Sequence, residues 1–545
     1  MGGGFLNIIS EGSQNIILNG NPSKTFFKCV YAKYTNFGLQ KIRIDYDGLR
    51  ELRLNEESKF TFKVPKHADL LMDSYVALTL PTIWSPIYPP QTVNDKWKPY
   101  EFKWIKNLGT TLIKEITISV GGQVLQQFTG SYLHNVLLRD NHNIALFNEM
   151  VGNVKELNDP GNAFNRNNQY PNAYYTTNTN GCEPSIKSRV LYIPLGAWFT
   201  HTSKIPFPLV CLQYNQLTIE VTIRPIRELF VVNNILSDSE EVIQPNFNTN
   251  EFAFYRFIQE PPDTTLSSLS YSNKSTSWNA DVHLICNYGF LSPDEGEVFA
   301  QNTQEYLIKE VKEDIYKNIV GSKKIQVTTN GLISNWMWFF RRSDVNLRNE
   351  WTNYTNWKYD YLPNNVIKSN STNTYTVGST VLTPDINPDG TSTDLYISGD
   401  FSSSNDKYIL NNFALLFDGK YRENDNDAGI YNYLEKYRSS YNNAYTEPGL
   451  YCYNFNIKTS LKSEQPDGAI NLSKFKNIDF ELTTIFPSLN PNAQFYNICD
   501  EDGEVIGVNK LSWDIYEYTY DFHLFEERYN LIIFSNGNVS KKYAN

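Results

Sequence analysis

The chain has 545 residues, too many for one ordinary domain and suited to two of roughly 200–250 residues. Hydrophobic residues at 41% and charged residues at 20% exclude a disordered chain, and 37 Tyr with 32 Phe lean the composition towards strands. A formal net charge of −11, with a sequence pI near 5.2, excludes the basic surface with which proteins wrap nucleic acid, so no direct contact with a genome is expected.

In chain order, residues 1–24 read as an arm. It opens on Gly2, Gly3 and Gly4, and then carries Phe5, Leu6, Ile8, Ile9, Ile16, Ile17 and Leu18 among polar residues. Three glycines cost heavily in entropy when ordered, so the arm is expected to order against neighbours and to serve assembly. Gly2 invites N-myristoylation, but Leu6 stands where that signal needs Ser or Thr. The arm lacks the charged n-region and long apolar stretch of a secretory signal. No apolar run approaches the ~20 residues of a membrane helix, the densest cluster being Trp336-Met337-Trp338-Phe339-Phe340.

Beyond the arm, apolar and polar residues alternate with period two. Ile42, Ile44 and Tyr46 do so, as do Phe60, Phe62 and Val64, and Leu217, Ile219, Val221 and Ile223. The same pattern returns at Tyr451, Tyr453, Phe455 and Ile457, and at Ile478, Phe480 and Leu482. Each predicts a strand with one buried face. Helix is predicted over 131–150 and 305–317. Polar stretches at 155–187, 229–250 and 346–407 predict long loops, which in compact domains serve function or contact. The expected division is an arm (1–24), a first β domain (25–228), a linker (229–278) and a second β domain (279–545).

The two halves echo one another in order. Ile118-Ser119-Val120-Gly121-Gly122-Gln123 resembles Leu415-Leu416-Phe417-Asp418-Gly419-Lys420, and each is followed by Gly-x-Tyr (Gly130 and Tyr132; Gly429 and Tyr431). Leu191-Tyr192 answers Leu450-Tyr451, and Gln216–Thr222 answers Asn477–Thr483. Gly122 and Gly419 are expected at positive φ in matching turns. Repetition with long connections and no βαβ rhythm implies two tandem antiparallel sandwiches, either jelly rolls or immunoglobulin-like domains.

Chemistry-bearing patterns are scarce. There is no GxSxG, GxxxxGK[ST], HExxH or strand-linked GxGxxG, so no enzyme site and no cofactor is expected. The acid pairs Asp294/Glu295 and Glu526/Glu527 read as solvated surface. Cys29, Cys182, Cys211, Cys286, Cys452 and Cys499 form no CxxC pair and read as reduced, buried thiols. The histidines show no metal-ligand spacing, and His134 and His142 read as surface residues. Trp351, Tyr354, Trp357, Tyr359 and Tyr361 would suit either stacking on sugar, as in a carbohydrate-binding module, or burial in subunit contacts, and burial is preferred. Five N-x-[ST] sequons occur, at Asn273, Asn353, Asn370, Asn471 and Asn538; Asn353 and Asn370, in the long second-half loop, are the candidate glycosylation sites.

Several motifs also resemble a known family. Gly20-Asn21-Pro22, Thr25-Phe26-Phe27-Lys28 and Tyr31 with Thr35-Asn36-Phe37 resemble the N-terminal signature of the major capsid proteins of nucleocytoplasmic large DNA viruses. Asp69-Leu70 with Leu78-Thr79-Leu80-Pro81, Leu191–Phe199 and Pro208–Ile219 continue the match. So do Gln304–Ile308, Phe417-Asp418-Gly419, Gly449–Phe455, Gln465–Gly468, Asn471–Ser473 and Tyr529–Leu531. Departures include Gln304 for His, Lys474–Ile478 in place of a run ending Arg-Ile-Asp-Asn, and Ser535–Asn538 in place of a Gly-rich end. They fit a divergent member, with a minor or paralogous capsid or scaffold protein as the alternative.

The resemblance implies an all-β double jelly roll, two tandem eight-stranded antiparallel sandwiches. It further implies a homotrimer forming a pseudo-hexameric capsomer in the icosahedral shell of a double-stranded DNA virus. Implied partners are neighbouring capsomers, minor capsid proteins, a penton protein and, indirectly, an internal membrane. The implied setting is the virion, with synthesis and assembly in the host cytoplasm. The trimer is expected to bury well above ~800 Å² per partner.

Overall fold

The computed structural model describes residues 3–543 apart from 11, 89–97, 141–142, 167–168, 172–183, 234–241, 244–252, 263–270, 348, 358–365, 368–374, 378–379, 383–396, 399–405, 441–445, 464, 488–494, 500–504 and 511–517. Within the arm, Gly3 and Gly4 open a short helix, α1 (Gly3–Ile9).

The alternating segments become the strands of a first sandwich. These are β1 (Gly38–Asp45), β2 (Ser58–Lys63), β3 (Leu70–Leu80), β4 (Ile113–Val120), β5 (Gln123–Thr129), β6 (Arg189–Pro194), β7 (Phe207–Pro208), β8 (Leu217–Ile223) and β9 (His283–Phe290). One sheet runs β1-β9-β3-β7 with β6 also on β3; the other runs β2-β8-β4-β5. In β2 and β8 buried and less buried residues alternate without a break, so both strands lend one face to the core.

The second sandwich repeats this plan. Its strands are β10 (Gln304–Ile319), β11 (Ser322–Gln326), β12 (Leu332–Arg342), β13 (Leu410–Phe417), β14 (Lys420–Asp427), β15 (Leu450–Asn454), β16 (Ile478–Thr484), β17 (Tyr520–Ser535) and β18 (Asn538–Lys541). The sheets run β10-β17-β12-β15 and β11-β16-β13-β14, with β18 beside β17 and Ile470–Asn471 beside β12. Position by position the order matches the first roll, and all these pairings are antiparallel. This is the Greek-key order of a jelly roll, so the fold is a double jelly roll. The paired sequence echoes occupy equivalent strands: the β4–β5 and β13–β14 hairpins, β6 and β15, β8 and β16.

Gly121 and Gly122 turn the first hairpin with φ of 58° and 86°; Asp418 and Gly419 turn the second with 49° and 77°. Two consecutive left-handed residues make the type I′ turn that follows strand twist.

Four expectations need correction. Residues 305–317 form the strand β10, because pairing with β17 along its length overrides a helix-like charge pattern. The first roll does not end at 228: β9 inserts between β1 and β3, so the roll closes at Phe290. The intervening segment packs on the first roll, with Phe230 stacked 4.7 Å from Phe102 and Phe254 5.0 Å from Phe230, and is an excursion before the last strand. The first strand starts at Gly38, which lengthens the arm beyond residue 24. Finally, the sheets hold five and four strands in the first roll and six and four in the second, since the position of β15 is split between β6 and β7 in the first and short edge strands join the second.

The helix expected over 131–150 forms as α2 (Gly130–Asp140) and α3 (Ile144–Val151). Gly130 is obligatory there: a Cβ would lie 1.8 Å from the Ile113 carbonyl oxygen. A further helix, α4 (Pro293–Gln301), links the rolls.

Candidate functional site: the seam between the rolls and the exposed arm

Helix α2 is wedged between the rolls and brings polar groups into their joint core. Glu527 of β17 is fully buried. Its Oε1 accepts from Tyr132 Oη (3.1 Å) and Arg139 Nη2 (2.9 Å), and its Oε2 from Asn335 Nδ2 of β12 (2.7 Å). Arg139 also holds Asp140 through Nε (3.1 Å) and Nη2 (2.9 Å), while Thr459 Oγ1 of the second roll donates to Asp140 Oδ1 (3.2 Å). Two carboxylates from different rolls thus share one guanidinium. Burial pushes the Glu527 carboxyl up, but Arg139, Lys309 and the Asn335 amide outweigh it and hold it below the ordinary carboxylate range. For Asp140 burial wins over Arg139, and the carboxyl sits above that range.

Apolar contacts flank this knot. Phe339 of β12 stacks on Tyr354 at 3.9 Å and on His523 at 4.8 Å, and Tyr132 lies 5.7 Å from Phe525. At the other end Trp198 meets Tyr306 at 5.3 Å and Phe207 meets Phe534 at 5.2 Å. The β17–β18 hairpin, turned by Asn536 and Gly537 at positive φ, docks on the first roll where Gln213 N donates to the Gly537 carbonyl (3.0 Å). One hydrophobic core runs through residues of both rolls, so the rolls form one body.

Several sequence readings change here. Glu526 and Glu527 are not surface residues: both are 0% exposed, because β17 is flanked by β10 and β12 and covered on both faces. His134 is buried, with Nδ1 2.9 Å from Thr110 Oγ1 and Nε2 3.3 Å from Glu447 Oε1; His142 lies outside the described residues. Asn353 cannot present a glycan in the folded chain. It is buried, its amide donates to Glu350 Oε2 and the Trp357 carbonyl, and its oxygen accepts from Thr355. Asn370 lies outside the described residues. Trp351 and Tyr354 fill the chain's own seam: Trp351 Nε1 donates to the Glu228 carbonyl (2.9 Å), and Asn135 Nδ2 donates to Tyr354 Oη (2.9 Å). Tyr359 and Tyr361 lie outside the described residues. Cys211, Cys286 and Cys452 are buried thiols, whereas Cys29 is exposed on the arm. Among the described residues no group of three or more His, Cys, Asp or Glu is placed to hold a metal, and no helix is long and apolar enough to cross a membrane.

The arm is the converse of the seam. Phe5, Leu6, Ile8, Ile9, Ile16, Ile17 and Leu18 are all exposed, as are Phe26, Phe27, Val30, Tyr31, Tyr34 and Phe37.

Family comparison agrees with this architecture. A model of the major capsid protein N-terminus matches residues 25–291, and a model of the large eukaryotic DNA virus major capsid protein matches residues 295–539. The chain belongs to the major capsid proteins of large eukaryotic DNA viruses. The junction of the two matches falls where β9 ends the first roll.

Among capsid relatives, the major capsid protein of Chrysochromulina ericina virus is 26% identical over 364 residues, 62% of this chain and 57% of that protein. Probable capsid protein 4 of Acanthamoeba polyphaga mimivirus is 21% identical over 552 residues, 90% of this chain and 94% of that one. The major capsid protein of Paramecium bursaria Chlorella virus 1 is 22% identical over 497 residues, 89% and 87% respectively. The chain spans about half the length of some capsid relatives, 44% in the case of mimivirus capsid protein 1. In fold it is similar to the capsid protein of the PBCV-1 virus capsid model (TM-score 0.57, 17% identity, 96% of this chain and 100% of that one). It is similar also to the Faustovirus major capsid protein (TM-score 0.57, 12% identity, 94% and 93%).

Proposed function

We propose that this chain is a purely structural subunit, without catalytic machinery or cofactor, whose three copies close into a pseudo-hexameric capsomer of an icosahedral shell. The observation that carries the reading is the pair of rolls with one strand order, locked side by side by the Arg139–Glu527 seam. Three rigid pairs around a threefold axis present six nearly equivalent units, and a near-sixfold outline lets capsomers tile.

The exposed arm supports assembly contacts at the base of the capsomer, facing the virion interior, with neighbours or minor capsid proteins. Neighbouring capsomers and a penton protein complete the partner set, and the membrane is reached only indirectly. The acidic balance supports a shell that does not hold the genome directly. The buried thiols support synthesis and assembly in the reducing host cytoplasm. Asn370 is the remaining glycan candidate of the long loop.

Negative-stain images of the purified assembly test the proposal. The expected particle is threefold with a hexagonal outline; uniform particles of single-chain size would contradict it.

A further inference from the structure

The arm and the outer face of the first roll are each left uncovered in a single chain, and they complement one another. Phe26, Phe27, Val30, Tyr31 and Tyr34 are all more than 80% exposed, so this stretch does not lie on its own body. Residues 1–37 carry Lys24, Lys28 and Lys33 against Glu11 alone, a net +2; the remainder therefore carries −13, since the whole is −11. A basic, aromatic segment on an acidic protein has its electrostatic complement in another copy of the same chain.

The receiving surface is a groove of about 300 Å³ between α2, α3 and the outer face of β3. Tyr75 and Pro194 line it from the sheet, Phe147 and Met150 from α3, and Leu461 from the second roll. Its polar lining includes Asp73, Lys462 and His201, whose imidazole burial holds uncharged with a pKa of about 4. Val190 and Tyr192 alternate along β6 onto the same face as Pro194, and both are exposed, so the apolar strip continues out of the groove. Leu146 of α3, also exposed, forms part of the lining.

We propose that residues 24–37 of one copy cross to the next and lie along β6, with Phe26 or Phe27 seated in this groove. The inference rests on the trimeric reading above and names one of its contacts. Fourteen extended residues reach at most about 50 Å, enough to pass from the start of β1 to a neighbouring subunit. Each arm passed onward in the same sense is a heterologous contact, and such contacts close in a ring of three.

The test uses the full-length chain with photoreactive benzoylphenylalanine in place of Phe27, co-assembled from isotope-labelled and unlabelled chains and irradiated. Mixed-label peptides joining position 27 to residues 136–150 or 189–201 are expected. Leu146→Asp with Tyr192→Asp should lower their yield about tenfold, as loss of an interface anchor does. Both positions are exposed, so the fold is spared. A trimer that gives only same-label products, or products at another surface, overturns the inference and leaves the trimer standing. A chain that stays monomeric overturns both.

Discussion

Glu526 and Glu527 are neighbours in sequence with opposite behaviour. Glu527 meets a guanidinium, and its carboxyl stays below the ordinary range; removing Arg139 would strand it and cost about 3–5 kcal/mol. Glu526 accepts from the Thr329 hydroxyl at 2.7 Å, and burial, outweighing Thr329, Lys312 and Arg528, pushes its carboxyl up to about 7 from an ordinary 4.5. The folded chain therefore holds this proton more tightly than the unfolded chain. Glu526 contributes its full stability below pH 4.5 and loses it as pH rises through about 7. Glu526→Gln, which keeps an acceptor for Thr329 without the charge, should match the parent near pH 4.5 and exceed it by roughly 2–3 kcal/mol at pH 8. Melting curves of both proteins across pH 4.5–8 decide this, and equal stabilities at pH 8 would contradict the assignment. These two residues were misread from sequence for a physical reason. Alternation distinguishes a buried from a solvated face, but a strand covered on both faces carries no such contrast. The same holds for Asn353, whose sequon is silent about the hydrogen bonds that bury it.

At the scale of elements, α2 decides how the rolls meet. Its first residue, Gly130, was visible in the sequence as half of a repeated Gly-x-Tyr. Its role was not, because the Ile113 and Thr110 carbonyl oxygens that exclude a side chain come from a segment 17 to 20 residues upstream. Gly130→Ala should shift α2 and cost upwards of roughly 1–3 kcal/mol. Gly122→Ala meets no neighbouring atom and should cost only about 1 kcal/mol for its left-handed backbone. Thermal unfolding of the two variants compares them, and equal losses would contradict the wedge. The strands with one solvated face, such as β2, β8 and β16, were legible from period two alone. Strand β10 was not, since its run of Lys, Glu and Asp suits a helix surface and only the partner β17 settles it.

At the scale of the whole molecule, the duplication was legible because equivalent strands keep equivalent turns: Gly122 answers Gly419, and Gln216–Thr222 answers Asn477–Thr483. The boundary between the rolls was not, because the polar stretch after residue 229 looks like a linker while its aromatics pack back on the first roll. That the arm stays outside the sandwich was readable from Gly2, Gly3 and Gly4 followed by apolar residues with no sandwich to enter, and Phe5 and Leu6 are exposed. Since the arm contributes no buried side chain among its described residues, deleting residues 2–19 should leave the melting temperature nearly unchanged. The central claim, that two locked rolls make one third of a closed capsomer, is tested most directly by sedimentation of the purified chain across micromolar concentrations without denaturant. A single species of three times the 62.9 kDa chain mass is expected for the full chain, and a single trimer of the correspondingly lighter chain without residues 2–19. A species of one chain mass at every concentration would contradict it.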